Sequence, residues 1–330
     1  ADKHLIAANE GASVALGLGH HLATGGLPMV YMQNSGLGNI INPLMSLADE
    51  EVYSVPMLLM IGWRGEPGTK DEPQHVKQGK VTLTMLEAMG VPYAIIDNDW
   101  QLAEAAIKTA AKVAKEKSCA YALVVKKGAF EAYKLQNEVK TDFPFNREDV
   151  ICKVAAALSE DDMVVSTTGM ASRELFEFRA RNNLGHSSDF LTVGGMGHAS
   201  QIALGVAMGK PERRVVCIDG DGAGLMHMGS FAISGQNAGA NYKHLIINNG
   251  AHDSVGGQPT VAFDIDFVKI AQASGYGYAR SCFKASEVDQ EIAEFLASDT
   301  SAFLEIKVNK GNRKDLGRPT TSPKENKLAF

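Results

Sequence analysis

The sequence predicts an α/β protein built as two doubly wound, parallel-sheet domains. Two observations carry that prediction. Short, wholly apolar runs such as PMLLMIG (residues 56–62) alternate with amphipathic stretches, the pattern of strands buried on both faces between helices. The alternation stops at the polar stretch KLQNEVKTDFPFNRED (134–149) and then restarts, which divides 330 residues into two parts of ordinary domain size.

The first domain is expected over residues 1–133. Residues 4–8 (HLIAA) read as a strand and 11–24 as a helix rich in Ala and Leu. A strand at 28–33, a helix at 40–52 and a strand at 56–62 follow. Residues 63–75 (WRGEPGTKDEPQH) combine Gly, Pro and charge without periodicity and read as a loop. A helix at 78–89, a strand at 92–97, a helix at 102–117 and a strand at 121–125 complete the domain. In the 102–117 helix, apolar residues at 102, 103, 106, 107, 110, 113 and 114 recur on one face. Residues 134–146 are expected to be a linker. The second domain, 147–330, is expected to hold strands at 163–166, 190–193, 215–218, 245–247 and 303–308. Its helices are expected at 147–158, 172–180, 200–208, 226–238, 264–274 and 285–296.

Composition narrows the function. The formal charge of −6 argues against non-specific nucleic-acid binding. No apolar run reaches the roughly 18 residues of a membrane span, and the first residues lack a signal-peptide pattern. Cys119, Cys152, Cys217 and Cys282 lie far apart, form no CxxC pair and sit in or beside apolar runs. They are expected to be packing residues in a reducing, cytoplasmic setting.

The chemistry concentrates in IDGDGAGLMHMGSFAISGQNAGANYKHLIINNGAHDS, residues 218–254. A dinucleotide-binding fingerprint needs G-x-G-x-x-G between strand and helix. Here Gly220, Gly222 and Gly224 are spaced G-x-G-x-G, with Leu225 at the third fingerprint position. Asp221 inside the turn would repel a pyrophosphate unless a cation lay between them, and a hard cation such as Mg²⁺ takes oxygen ligands from carboxylates and phosphates together. The backbone N–H groups of Gly222 and Ala223 can face phosphate at the helix start. One helix and one strand later, Asn248 and Asn249 fall at the carboxyl end of the next strand, where open α/β sheets bind ligands. Taken alone, the GDG reads more simply as a surface turn, and an NAD-binding dehydrogenase is the reading from another class.

The GDG…NN spacing resembles the signature of the thiamine diphosphate (ThDP) enzymes, whose fold is the pair of domains predicted above, one of pyrimidine-binding and one of diphosphate-binding type. The resemblance implies Asp221, Asn249 and the carbonyl of Ala251 as Mg²⁺ ligands, with Gly222 and Ala223 beside the diphosphate. A second segment, AANEGASVALGLGHHLATG, resembles the NE-x-x-A stretch of the pyrimidine-binding domains and implies Glu10 as the acid that activates the aminopyrimidine. Alone, Glu10 would read as a first-turn acid favoured by the helix dipole. A third, TVGGMGHASQIALGVAMG (192–209), implies Met196 as the apolar wedge under the cofactor and the Gly194 carbonyl as partner of its amino group. STTGMAS (166–172) implies further cofactor contacts at Thr168, Gly169 and Met170. A non-catalytic ThDP-binding module would lack the acid at position 10.

Within that class, YMQNSGLGNIINPL, IGWRGEPGTKDEPQHVKQGK and NNGAHDSVGGQPT resemble the phosphonopyruvate decarboxylase family, with the sulfopyruvate decarboxylases as near relatives. Chains of the family carry a further βα unit ahead of the Glu10 segment, and none is read in this sequence. The resemblance implies decarboxylation of a small 2-keto acid bearing a phosphonate, in phosphonate biosynthesis. It also implies a homodimer or larger, with the active site between subunits. The phosphonate needs local cations, and Arg64, Lys70, Lys77 and Lys80 cluster in and after the charged loop. Arg64 and Lys70, with Asn34 and Ser35 at a strand end, are the expected substrate contacts. His75 and His252 are expected to act in catalysis.

Overall fold

The computed structural model describes residues 4–133 and 140–330. The chain forms two compact units, Ala1–Asn137 and Glu138–Phe330. The first runs α1 (Glu10–Thr24), β1 (Met29–Gln33), α2 (Leu37–Pro43), β2 (Met57–Gly62), α3 (Pro73–Ala88), β3 (Tyr93–Ile96), α4 (Trp100–Lys117) and β4 (Ala120–Val125). Its four strands are parallel, in the order β1-β2-β4-β3. Val30, Met57, Leu59, Ile61, Ala122 and Val124 fill the core on the face that also holds Val14, Leu37 and Leu86, while Leu58, Leu123 and Val125 pack with Ala103, Ala110 and Ala114 of α4 on the other. Such alternation across one strand is why β2 reads as a continuous apolar run.

Three expectations are corrected in this unit. Residues 4–8 form no strand: among the described residues β1 pairs with β2 alone and none pairs with 4–8, and Leu5 is exposed. The predicted helix at 40–52 begins earlier, through a 3₁₀ turn Asn34–Gly36 into α2, and ends in a π-helical turn Leu44–Ala48 just after Pro43. Proline removes a backbone donor and crowds the preceding turn, which accounts for the change of helical type there. The loop after β2 is shorter than predicted, because α3 starts at Pro73. Proline suits the first helical position, and His75 thereby falls in the first turn of a helix.

The second unit runs α5 (Arg147–Ala157), β5 (Met163–Ser166), α6 (Met170–Arg181), β6 (Asp189–Leu191), α7 (Ala199–Gly209), β7 (Val215–Gly220), α8 (Asp221–Met226), α9 (Gly229–Asn237) and β8 (Tyr242–Asn248). A small ribbon of β9 (Ala251–His252) and β10 (Gln258–Pro259) follows, then α10 (Phe267–Ser274), β11 (Tyr278–Cys282), α11 (Val288–Ala297), β12 (Ala302–Lys307) and α12 (Pro323–Ala329). The main sheet is parallel, ordered β11-β12-β8-β7-β5-β6. From β5 the chain moves outward to β6, then crosses back to β7 on β5's other side. The reversal opens a crevice beyond the carboxyl ends of β5 and β7, the usual ligand position in such sheets.

The predicted helix at 226–238 is two, α8 and α9, since the helix already begins at Asp221. Of the predicted linker, 134–139 lie outside the described residues. Its later part is bound to the second unit through Asn309, whose Oδ1 accepts from Thr141 Oγ1 and from the Phe143 N–H. Strand β11 and helix α12 were not expected. In α12, Asn326 mimics a neighbouring strand at the sheet edge: its amide accepts from Leu191 N and donates to the Asp189 carbonyl, on either side of Phe190 along one edge of β6.

Helix α3 passes so close to the turn after β2 that a Cβ on Gly79 would overlap the Gly65 carbonyl, and Trp63 Nε1 donates to the Gly79 carbonyl across the same contact. Gly79→Ala is expected to lose about 2–3 kcal/mol of stability by forcing backbone apart. Gly19→Ala, in an open part of α1 with nothing near its Cβ, should gain about 0.5–1 kcal/mol. Urea titrations of the two variants check this, and equal midpoints would contradict it.

Candidate active site

In the second unit the crevice is a small cleft that opens to solvent. Thr168, Met170, Met196, Asp221, Gly222, Ala223, Asn249, Ala251 and His252, all singled out from the sequence, line it together. Gly169 flanks it as the residue before α6, with φ +95, a backbone state that favours glycine. Gly194 lies in the segment between β6 and α7, two residues before Met196.

Asp221 is 2 % exposed. Its Oδ2 accepts from Thr260 Oγ1 at 2.5 Å and its Oδ1 from the Asn249 N–H at 3.4 Å. Among the described residues no ion pair is recorded for it. Burial therefore dominates and pushes its carboxyl up to about 6, against the opposing pull of the Thr260 hydroxyl. The two asparagines part company. Asn248 is structural: its amide donates to the Ala262 carbonyl and to Glu305, and accepts from Gly250 N. Asn249 donates through Nδ2 to Asp253 at 2.8 Å, and its Oδ1 accepts from Ala251 N at 3.1 Å.

Ala251 stands opposite Pro259 in the β9–β10 ribbon, and the Thr260 N–H binds the Gly250 carbonyl one register step away. In antiparallel pairing this makes Ala251–Pro259 a non-hydrogen-bonded pair, so the Ala251 carbonyl faces away from β10. A buried carboxylate without a cation, an amide oxygen and an outward carbonyl are hard oxygen donors of the kind a divalent ion takes. The donor set thus fits Mg²⁺.

Gly222 and Ala223 lie in the first turn of α8, whose leading N–H groups have no intrahelical partner. The His252 ring lies where a Cβ on Gly222 would sit, and burial lowers the ring's pKa. Cleft-lining residues not foreseen include Arg147, Thr167, Asp219, Asp253 and Ser254. Arg147 forks onto Glu174 at 2.8 Å through both Nε and Nη2 and reaches Asp253 at 3.3 Å. Beneath the turn, ligand-type atoms of buried Cys217, Asp219 and His244 lie within 4.8 Å of one another. All four cysteines are free.

In the first unit, Glu10 opens α1, with Asn9 as N-cap accepting from Ala12 N. Its Oε2 accepts from Asn39 Nδ2 at 2.7 Å, and its side chain covers Gly36, where a Cβ would collide with it. Glu10 therefore sits over the turn that follows β1. It is partly buried, and Asn39 is its partner.

Asn34, expected as a substrate contact, is 3 % exposed. Its amide donates to the Arg64 carbonyl and to Thr82 Oγ1, and accepts from Arg64 N, so its polar groups tie the turn after β1 to the turn after β2. Ser35 is exposed and donates to Gln33. Arg64 forks onto Asp71 at 2.5 and 2.8 Å. The same carboxylate accepts from the N–H groups of Gly65 and Glu72 and lies 2.9 Å from His75 Nδ1. These partners, Arg64 first, hold the Asp71 carboxyl far below the usual range. His75 is buried, and Lys70 is exposed. Asp71, absent from the expected site, organises this loop.

The second unit matches the sequence family described as "Thiamine pyrophosphate enzyme, C-terminal TPP binding domain" over residues 165–306. That stretch runs from within β5 to within β12 and holds every residue that lines the cleft except Arg147 on α5. The chain is 33% identical to the phosphonopyruvate decarboxylase of Streptomyces viridochromogenes, over 98% of this chain and 83% of that protein. It is 34% identical to that of Streptomyces hygroscopicus over 98% of this chain and 82% of the other, and 28% identical to the sulfopyruvate decarboxylase of Methanosarcina acetivorans over 91% and 80%. The chain belongs to the phosphonopyruvate decarboxylase family of thiamine pyrophosphate enzymes. Among the described residues no helix is long and apolar enough to cross a membrane.

The raised Asp221 pKa sets a stability test. With a folded value of about 6 and an unfolded value near 4, the folded state binds the proton more tightly. Its contribution is fully present below about pH 4 and is lost as pH rises through about 6. In chelator at pH 7.5, Asp221→Asn is therefore expected to be about 2 kcal/mol more stable than the parent protein, with no such gain at pH 4. A variant that melts below the parent at pH 7.5 would contradict it.

Proposed function

We propose that the protein is a thiamine diphosphate- and Mg²⁺-dependent carboxy-lyase that converts 3-phosphonopyruvate to phosphonoacetaldehyde and CO₂. The observation that carries the reading is the buried Asp221 carboxylate, with no basic partner among the described residues, grouped with Asn249 and the outward Ala251 carbonyl at the switch point of the sheet. Asp221, Asn249 and Ala251 would hold the cation, with Gly222 and Ala223 beside the diphosphate. Thr168, Gly169, Met170, Gly194 and Met196 would hold the rings. Thiamine diphosphate, when bound, supplies the sink for the electron pair released as CO₂ leaves.

The chain's own residues do the remaining work. Glu10 exchanges a proton with the aminopyrimidine through its carboxyl group, and Asn39 keeps that group over Gly36. Arg64 presents the guanidinium edge opposite Asp71 to the phosphonate. Its charge is already balanced by Asp71, so the exposed Lys70 adds the positive field that a dianion requires. Ser35 offers a hydroxyl, and His75 and His252 are the proton carriers nearest the two halves of the site. Asn34 serves the substrate indirectly, by fixing Arg64.

The assembly we propose is a homodimer or larger, in which the Glu10 unit of one subunit completes the Asp221 cleft of another. The biosynthesis of phosphonates is the setting. The 28% identity to a sulfopyruvate decarboxylase supports a second reading, with a sulfonate in place of the phosphonate.

Glu10→Gln is expected to lose turnover by at least about 10³-fold while thiamine diphosphate still binds. Aldehyde release assayed with phosphonopyruvate and sulfopyruvate in parallel should favour the phosphonate. Activity of the glutamine variant near the parent level removes Glu10 from the chemistry, and preference for the sulfonate selects the second reading. Sedimentation should show the active species as a dimer or larger, and an active monomer would overturn the shared site.

A further inference from the structure

The Asn249 amide is held from both sides by groups that admit only one orientation. The Ala251 N–H can only donate, so the atom 3.1 Å from it is Oδ1. An ionised Asp253 carboxylate can only accept, so the atom 2.8 Å from it is Nδ2. Asp253 is itself fixed. Its Oδ2 receives three donors, Asn249 Nδ2, Gly311 N at 3.0 Å and Arg147 Nη1 at 3.3 Å. Arg147 cannot drift, because its other edge forks onto Glu174, whose side chain is 1 % exposed. A chain of charge-assisted contacts thus runs Glu174–Arg147–Asp253–Asn249, from buried interior to cleft wall.

We propose that Asp253 is the positioning residue that orients Asn249 for the divalent cation, with Arg147 and Glu174 holding Asp253 in place. The physical need is clear. An amide presents oxygen on one edge and N–H on the other, and a half-turn would point two N–H donors at a cation. The Ala251 N–H alone resists that turn with one neutral hydrogen bond, and Asp253 adds an ionic acceptor on the opposite edge. Asp253 also sets a carboxylate in the wall of a cleft that takes an anionic diphosphate. Arg147 offsets that charge, which explains a buried arginine there with two acidic partners. The proposal rests on Asn249 and Asp221 being cation ligands.

The test measures Mn²⁺ uptake by the full chain with thiamine diphosphate present, read from the loss of the free-ion paramagnetic resonance signal. Asp253→Ala is expected to weaken Mn²⁺ binding about tenfold, the lower end for a residue that orients a ligand. Asp253→Asn, which can place one oxygen where three donors converge, should stay within about threefold of the parent. The decisive arm is Asn249→Asp. A carboxylate has two equivalent oxygens and cannot be turned the wrong way, so adding Asp253→Ala to Asn249→Asp should cost nothing, or improve binding by removing a like charge.

A tenfold loss that persists in the Asn249→Asp background would assign Asp253 a general structural role and overturn the proposal. Parent-like binding by Asp253→Ala would do the same. If Asp253→Ala does not fold, Asp253→Ser, too short to reach Asn249, takes its place with the same expectations. Asp221→Asn is the control that separates the two levels. If it binds Mn²⁺ as the parent does, the cation site itself is misassigned and both readings fall. If it loses binding while Asp253→Ala does not, only the positioning role falls.

Discussion

A carboxylate shut away from water with no positive partner is expensive, and the second unit is built around one. Asp221 follows β7 as the first residue of α8, and among the described residues its carboxylate is met by the Thr260 hydroxyl and by backbone N–H groups, with no ion pair. Either the group takes up a proton, as its raised pKa says it does near pH 6, or a cation arrives. Every nearby feature is consistent with the second outcome. Gly222 leaves room for His252 to close over the turn, the Ala251 carbonyl is turned out of its ribbon by register, and Asn249 is locked with its oxygen on the Ala251 side.

The first unit solves a different problem, that of holding polar side chains still at strand ends. Trp63 and Leu37 anchor the turns there in the core, and hydrogen bonds position the polar side chains between them. Asn34 joins the turn after β1 to the turn after β2, and Asp71 gathers Arg64, His75 and two backbone N–H groups around one carboxylate. Bidentate pairing fixes the plane of the guanidinium as well as its position. Removing a buried organiser of this kind leaves several groups unpaired together, so its loss propagates further than that of an exposed charge.

Strands buried on both faces were legible in the sequence because their apolar runs are unbroken: β2, β4, β7 and β8 all fall where the pattern places them. Edge elements were not. Tyr278–Cys282, at the sheet edge, carries Arg280 and Ser281 in its middle, so no unbroken apolar run marks it, and it was missed as a strand. Residues 4–8 are apolar enough for a strand, yet pairing is a tertiary fact that composition does not carry. Helix α12 was missed as well, although the Ser322–Glu325 capping box in SPKE marks its start. At the site, glycines and ligand-type side chains stood out by spacing, so the Asp221 turn and the Asn pair could be found. Asp71, Asp253 and Arg147 could not, because each acts through another side chain brought near by folding. Asn34 illustrates the converse. Its place at a strand end suggested a ligand contact, and burial against Arg64 and Thr82 makes it a brace.

The central claim is that the anion of Asp221 is completed by a divalent cation carrying a diphosphate. Calorimetric titration of thiamine diphosphate into metal-stripped protein, with and without Mg²⁺, addresses it directly. The account predicts saturable binding that depends on Mg²⁺ and disappears in chelator. Binding of the same affinity in chelator as in Mg²⁺ would contradict it.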